Sequence, residues 1–172
     1  MAIYFVTGIP GAGKTSVQRE LTRREYDAQG TDSLSIWIRR DNREPDNGQS
    51  GIQYGTPEWY RTFRWTLEAA VVSRLKKESD DTAVFLCGTP GNAREVAHLF
   101  DTVFCLAVDD ETLEHRLMSR TGNDYGKAKH QHDDILRWNK TFANDFRALG
   151  AVVIDATEPL PKVVDAIVAA LR

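Results

Sequence analysis

Near the start of the chain, Gly8-Ile-Pro-Gly11-Ala12-Gly13-Lys14-Thr15-Ser16 gathers three glycines, a lysine and two hydroxyl side chains in one short stretch. The spacing G-x-x-x-x-G-K-[ST] is that of a phosphate-binding loop. Backbone N–H groups in such a loop must approach phosphate oxygens closely, which a Cβ would obstruct. Lys14 supplies a compact positive charge near the β- and γ-phosphates. The Thr15 hydroxyl is suited to ligate Mg²⁺, and the helix that follows offers its positive N-terminus. A glycine-rich turn can match the pattern by chance, so the flanks decide. Ile3 to Thr7 is a continuous apolar run fit for a buried parallel strand, and Thr15 to Arg24 lacks Pro and Gly, with Val17 and Leu21 at helical spacing. Strand, loop and helix in that order read as a nucleotide site.

The elements that must position this loop follow from the rest of the chain. Arg24 to Asp32 reads as a brief second strand ending in a polar turn, with Asp32 as N-cap of a candidate helix to Arg40; Ile36-Trp37-Ile38 suits a strand equally well. Residues 41–55 hold Asn47-Gly48 and almost nothing to pack, which reads as a mobile, substrate-binding excursion. Thr56-Pro57-Glu58 opens a long helix running towards Lys77. Strands are expected over 82–87, 102–108 and 151–154. Helices are expected over 93–100, 110–120, 133–149 and 160–171, with Gly150 ending the third of these. Alternating strands and helices predict a three-layer α/β/α fold around a parallel sheet.

The chain has 172 residues, about the size of one domain. Charged residues are 27% and the formal net charge is −3, with no polybasic tail, which disfavours nucleic acid as the main partner. There is no long apolar run and no leader ahead of the loop, so a cytosolic protein without membrane contact is expected. Cys87 and Cys105 lie in apolar, strand-like runs and are expected to be buried, reduced thiols. His130, His132, Asp133 and Asp134 are poorly spaced as metal ligands and read as the start of a helix.

Taken together, the loop at Gly8 to Thr15, the run Leu113-x-x-Arg116-Leu-x-x-x-Arg120 entering a Gly-containing segment, and Ile154-Asp-Ala-Thr157 before the last helix resemble the small P-loop kinases of the adenylate kinase and shikimate kinase type. More narrowly, Phe85-Leu-Cys-Gly88-Thr89, Asn123-Asp-x-Gly126-Lys127 and Ile154-Asp-Ala-Thr-x-Pro159-Leu look like a group of bacterial kinase-like ATPases. The resemblance implies a five-stranded P-loop NTPase fold with an acceptor-binding excursion over about 32–65 and a lid over about 116–132, in a monomer or homodimer. It also implies an ATP- and Mg²⁺-dependent phosphotransferase acting on a small-molecule hydroxyl or phosphate: a nucleoside, a nucleotide or a shikimate-like metabolite.

The residue roles divide along the same line. Gly8, Gly11, Ala12, Gly13, Lys14, Thr15 and Ser16 would hold the nucleotide. By resemblance, Arg116 and Arg120 would close over its phosphates, Lys127 would reach them from the lid, and Thr157 and Pro159 would wrap the base. Asp32 matches the acidic position after the second strand that orients the acceptor or shares the Mg²⁺ shell with Thr15. A Walker B strand ends in an Asp, whereas here Cys87 is followed by Gly88-Thr89, a glycine-rich turn of the kind that shikimate-type kinases also place here. Asp32 or Asp109 then serves in the metal shell, or the metal is held mainly by Thr15 and phosphate. Gly88 and Thr89 are expected to turn backbone N–H groups to the acceptor, and Trp59 and Arg64 to stack a planar acceptor and bind its anionic group. A polynucleotide end kinase using arginines 39, 40, 43, 61 and 64, and a non-catalytic nucleotide-binding switch, are the alternatives.

Overall fold

A computed structural model of the protein describes residues 2–78, 83–121 and 125–171. Thr82, Asn123 and Asp124, named above in a strand and in the lid, lie outside the described residues. The main sheet has five strands in the order β2-β5-β1-β6-β7: Asp27–Gly30, Val84–Cys87, Ile3–Gly8, Thr102–Ala107 and Val152–Asp155. Every pairing is parallel. Parallel strands covered on both faces need apolar residues at successive positions, which the runs at Ile3, Val84 and Val103 supply. Ile3, Phe5, Phe85, Leu86, Phe104 and Cys105 are accordingly fully buried.

Helices flank the sheet, among them the single turn α4 (Ala93–Val96) after β5. α1 (Lys14–Arg23) packs with α7 (Leu160–Ala169), and α6 (Lys129–Ala148) lies over β6 and β7 beside α5 (Asp110–Ser119). Gly150, at φ 86°, ends the α6 segment as its type predicts. No helix among the described residues is long and apolar enough to cross a membrane. Cys87 and Cys105 are free and buried, and burial pushes both thiols up to about 12.

Two expectations from the sequence are corrected. After a 3₁₀ turn at Thr31–Ser33 the chain enters a strand, β3 (Ser35–Arg39), so Asp32 caps no α-helix. The long helix expected from Thr56 is interrupted. Thr56 does cap α2 (Pro57–Thr62), its hydroxyl accepting from the Trp59 amide at 3.2 Å, but Phe63–Leu67 is then a strand, β4, before α3 (Ala69–Glu78) resumes. The physical reason is the alternation of Phe63, Trp65 and Leu67, a period of two that suits an antiparallel partner. β3 and β4 form that pair, with Trp37 opposite Trp65.

This separate hairpin is fastened to the main sheet by a buried side chain. The Asn92 carboxamide, in the loop after β5, accepts from the Leu67 amide at 3.0 Å and donates to the Leu67 carbonyl at 2.9 Å. The amide group thus satisfies Leu67 on the edge of β4 that β3 does not cover.

Candidate functional site

The C-terminal ends of β1, β2 and β5 open onto one cleft of about 1260 Å³, walled on its far side by the β3–β4 hairpin. At its floor the chain leaves β1 at Gly8 and turns through Gly11 (φ 92°) and Gly13 (φ 100°) into α1. These left-handed values favour glycine, and Gly13 serves as the N-cap residue with no side chain over the helix's free amides. Residues Gly11 to Ser16 all line the cleft, whereas Gly8 lies behind them.

Lys14 reaches back across the loop. Its Nζ donates to the carbonyls of Gly8 at 2.7 Å and Ile9 at 2.9 Å. Loss of water around the amine pulls its pKa down to about 8; the Asp32 carboxylate opposes that shift and the Arg120 charge adds to it. At neutral pH the amine remains mostly charged. The Gly8 carbonyl is shared, since the Thr89 hydroxyl donates to it at 2.5 Å. Thr15 and Ser16, exposed at the start of α1, present their hydroxyls at the mouth of the loop.

Asp32 stands exposed on the 3₁₀ turn at the end of β2 and lines the same cleft. α5 and the residue that ends it contribute Arg116 and Arg120, which also line it. Arg116 is half-buried, and its guanidinium donates to the Ala156 carbonyl at 2.8 Å and approaches the Ala12 carbonyl at 3.5 Å. It thereby joins α5, the phosphate-binding loop and the segment after β7. Lys14, Asp32, Arg116 and Arg120 are therefore brought together.

Other candidate residues are placed differently. The Gly88 amide donates to the Val6 carbonyl at 2.9 Å, so it is engaged in the backbone ladder and does not face an acceptor. Gly88 is glycine for another reason: a Cβ there would come within 1.7 Å of the Thr31 hydroxyl oxygen. Thr89 meets the cleft with its hydroxyl tied to Gly8. Trp59 is 4% exposed and packs on Phe63 with ring centroids 4.2 Å apart, behind the cleft wall instead of in it. Its burial follows from the break after Thr62, which turns the α2 face inward. Arg64 lines the cleft, but its guanidinium is held in two hydrogen bonds by Glu95.

From the segment after β7 into α7 the lining comes from Ala156, Glu158, Leu160 and Val163, not from Thr157 or Pro159. The Thr157 amide and hydroxyl both donate to Asp155, at 2.9 and 2.6 Å, an Asx turn that faces away from the cleft lining. Asp109 likewise lies outside the cleft lining. Its carboxylate caps α5 by accepting from the Thr112 amide at 2.7 Å, and that bond holds its pKa below the usual range. Asp32 and Glu158 are the carboxylates lining the cleft. Among the described residues no group of three or more His, Cys, Asp or Glu side chains converges as a metal site.

The sequence reading passed over Trp37, Tyr54 and Tyr60, which line the cleft with Phe63 and Trp65. The available signal was the alternation on both sides of the excursion, Ile36-Trp37-Ile38 against Phe63-Arg64-Trp65, which pairs the two tryptophans once both stretches are read as strands.

Comparison with known proteins bears on this architecture. A family model described as an AAA domain (AAA_18) matches residues 5–137. No curated protein matches the chain. Among solved structures, shikimate kinase from Bacteroides thetaiotaomicron is similar with a TM-score of 0.61 at 16% identity, covering 96% of this chain and 96% of that one. Shikimate kinase from Acinetobacter baumannii, solved with shikimate, gives 0.60 at 17% identity, covering 100% and 96%. A sugar kinase from Janibacter sp. HTCC2649 gives 0.55 at 15% identity, covering 98% and 93%.

Proposed function

The chain belongs to the AAA-domain family and has the fold of the small P-loop kinases of the shikimate kinase type, and on that premise we propose that it is an ATP- and Mg²⁺-dependent phosphotransferase acting on a small-molecule hydroxyl. The observation that carries this reading is the convergence of Lys14, Asp32, Arg116 and Arg120 on one cleft. The donors of the β1–α1 turn suit a polyphosphate, and the aromatic wall opposite suits a second ligand.

Transfer of a γ-phosphoryl group needs neutralised charge and excluded water more than covalent help from the protein. Lys14 leaves the Gly8 and Ile9 carbonyls for the β- and γ-phosphates, trading two neutral acceptors for charged ones. Arg116 and Arg120 cover the phosphates from the lid side. Asp32 orients the acceptor hydroxyl and receives its proton as the bond to phosphorus forms. Thr15, with Asp32 through water, would hold Mg²⁺, which when bound supplies charge neutralisation at the β- and γ-oxygens. The cleft offers Asp32 as the carboxylate beside the phosphate-binding loop, consistent with a metal held largely by the nucleotide.

The test follows labelled γ-phosphate from ATP into low-mass products in a fractionated metabolite extract, with wild type and Lys14→Ala. Wild type forms a phosphorylated product in preference to free phosphate, and Lys14→Ala lowers its rate by about 100- to 1,000-fold. Equal rates for the two proteins, or free phosphate as the sole product, would overturn the proposal.

A further inference from the structure

The acceptor wall of the cleft is made chiefly of aromatic rings. Trp37 is their hub: its ring centroid lies 5.2 Å from Trp65, 5.9 Å from Tyr54 and 6.0 Å from Tyr60. These pairs meet at 51°, 78° and 57°, so the rings are splayed and do not cover one another as a flat stack would. Tyr54 is 66% exposed and Tyr60 46%, two large rings left to solvent at the mouth of a concave site. Phe63, buried in β4, backs this wall.

The cations on this wall are mostly engaged. Glu95 holds the Arg64 guanidinium through both terminal nitrogens, and the Arg40 Nε–H points at the carbonyls of Tyr60 and Phe63, 3.3 Å from each. A small hydroxy acid needs converging free guanidinium groups for its carboxylate and gains little from splayed rings. A planar π-system gains from them directly, through burial and stacking. The cleft volume also exceeds the roughly 300–1,000 Å³ typical of a single-ligand pocket, leaving room for two ligands of nucleotide size.

From these observations we infer that the phosphoryl acceptor is a nucleoside-type alcohol, its planar heteroaromatic base held among Trp37, Tyr54, Tyr60 and Trp65 while its sugar hydroxyl faces Asp32. This rests on the phosphotransferase reading and narrows its acceptor. The hydroxyl oxygen forms a bond to the γ-phosphorus of ATP as the bond from that phosphorus to the β–γ bridging oxygen breaks. ADP leaves with that electron pair, and the hydroxyl proton passes by way of Asp32 to solvent. A free nucleoside and the 5′ end of an oligonucleotide share this chemistry.

The test has two arms. Binding is read without ATP, by tryptophan fluorescence during titration with ribo- and deoxyribonucleosides, a short oligonucleotide with a free 5′-hydroxyl, shikimate and gluconate. Turnover is read by ADP release with the same compounds. The expected result is saturable quenching and ADP release with nucleosides or the oligonucleotide; whichever is turned over with the higher kcat/KM identifies the source. Tyr60→Ala, at an exposed position, raises KM for that acceptor about tenfold while KM for ATP stays within about twofold. Trp37→Leu does the same, provided its thermal melt remains cooperative. Turnover of shikimate or gluconate without turnover of any base-bearing compound overturns the inference and leaves the phosphotransferase reading standing. Absence of both quenching and turnover by every base-bearing compound overturns it as well. Saturable nucleoside quenching in a protein that releases no ADP with any acceptor supports the base-binding wall while removing the kinase reading.

Discussion

At the scale of single residues, Gly88 shows how a motif position can be right for a reason the motif does not state. Its amide is engaged with Val6, so what the site requires of it is the missing Cβ, whose place is taken by the fully buried Thr31 side chain. Gly88→Ala forces the β2 and β5 ends apart by more than a side-chain rotation relieves, because the Thr31 Cβ and Cγ2 also lie within 3.0 Å of the added carbon. The expected outcome is a loss of about 1–3 kcal/mol in urea unfolding, with Asp32, next to Thr31, displaced and acceptor KM raised. A Gly88→Ala protein with an unchanged urea midpoint would contradict the crowding. The residues of the phosphate-binding loop were legible because their chemistry is local: spacing alone places the glycines, Lys14 and Thr15 around one turn. Thr157 was not. Its role depended on whether its polar groups were free, and Asp155, two residues earlier, occupies them both.

At the scale of elements, the joints between helices and strands carry the remaining polar chemistry. Glu20 on α1 is nearly buried and receives Arg23 at 2.7 Å and Arg24 at 2.8 Å, while Arg24 continues to Asp165 on α7 at 2.5 Å. The two guanidinium groups hold the Glu20 carboxyl down to about 2, against an ordinary 4.5. A carboxylate whose pKa is depressed by folding stabilises the protein fully above its unfolded value and loses that contribution as pH falls through the folded one. Stability from this joint is therefore complete above about pH 4.5 and disappears towards pH 2. Glu20→Gln removes it, so the gap between the urea midpoints of wild type and variant should narrow from pH 6 to pH 3. A gap that stays constant would show that the ionised form of Glu20 is not what holds Arg23 and Arg24 at the end of α1.

The elements also explain where sequence reading stopped. Four strands of the main sheet are legible because they are apolar runs, while β2, Asp27-Ala-Gln-Gly30, has no such run and is legible only from its place between α1 and a polar turn. The β3–β4 hairpin is not, because Trp37 and Trp65 meet across an intervening excursion and the strand Phe63–Leu67 follows directly on the helical turns of Pro57–Thr62, so that the stretch reads as one long helix. The choice is made by tertiary contacts, above all by Asn92 closing on Leu67.

At the scale of the whole molecule, the cleft is bounded by parts that come from distant stretches of the chain and are joined by side-chain to backbone bonds. Arg116 is one such joint, linking α5 to the segment after β7 through the Ala156 carbonyl. A nucleotide seated on the loop at Gly11 to Ser16 and beneath Arg116 would fasten these parts together, and by mass action any ligand bound only to the native state raises its stability. At 100 times its dissociation constant that gain is about 2.7 kcal/mol, which for a chain of this size raises Tm by about 5–10 °C. If Arg116 contacts the phosphates, Arg116→Ala weakens ATP binding by about tenfold or more, removing about 1.4 kcal/mol of the gain at the same ATP concentration. The shift in Tm should then shrink by about 3–5 °C relative to wild type. The comparison is between shifts, with and without ATP and Mg²⁺, so the stability that Arg116 gives the unliganded fold cancels. If Arg116→Ala kept the full shift while Lys14→Ala lost it, the arginine would be a strut between α5 and Ala156, and phosphate contact from the lid side would fall to Arg120 alone among the two.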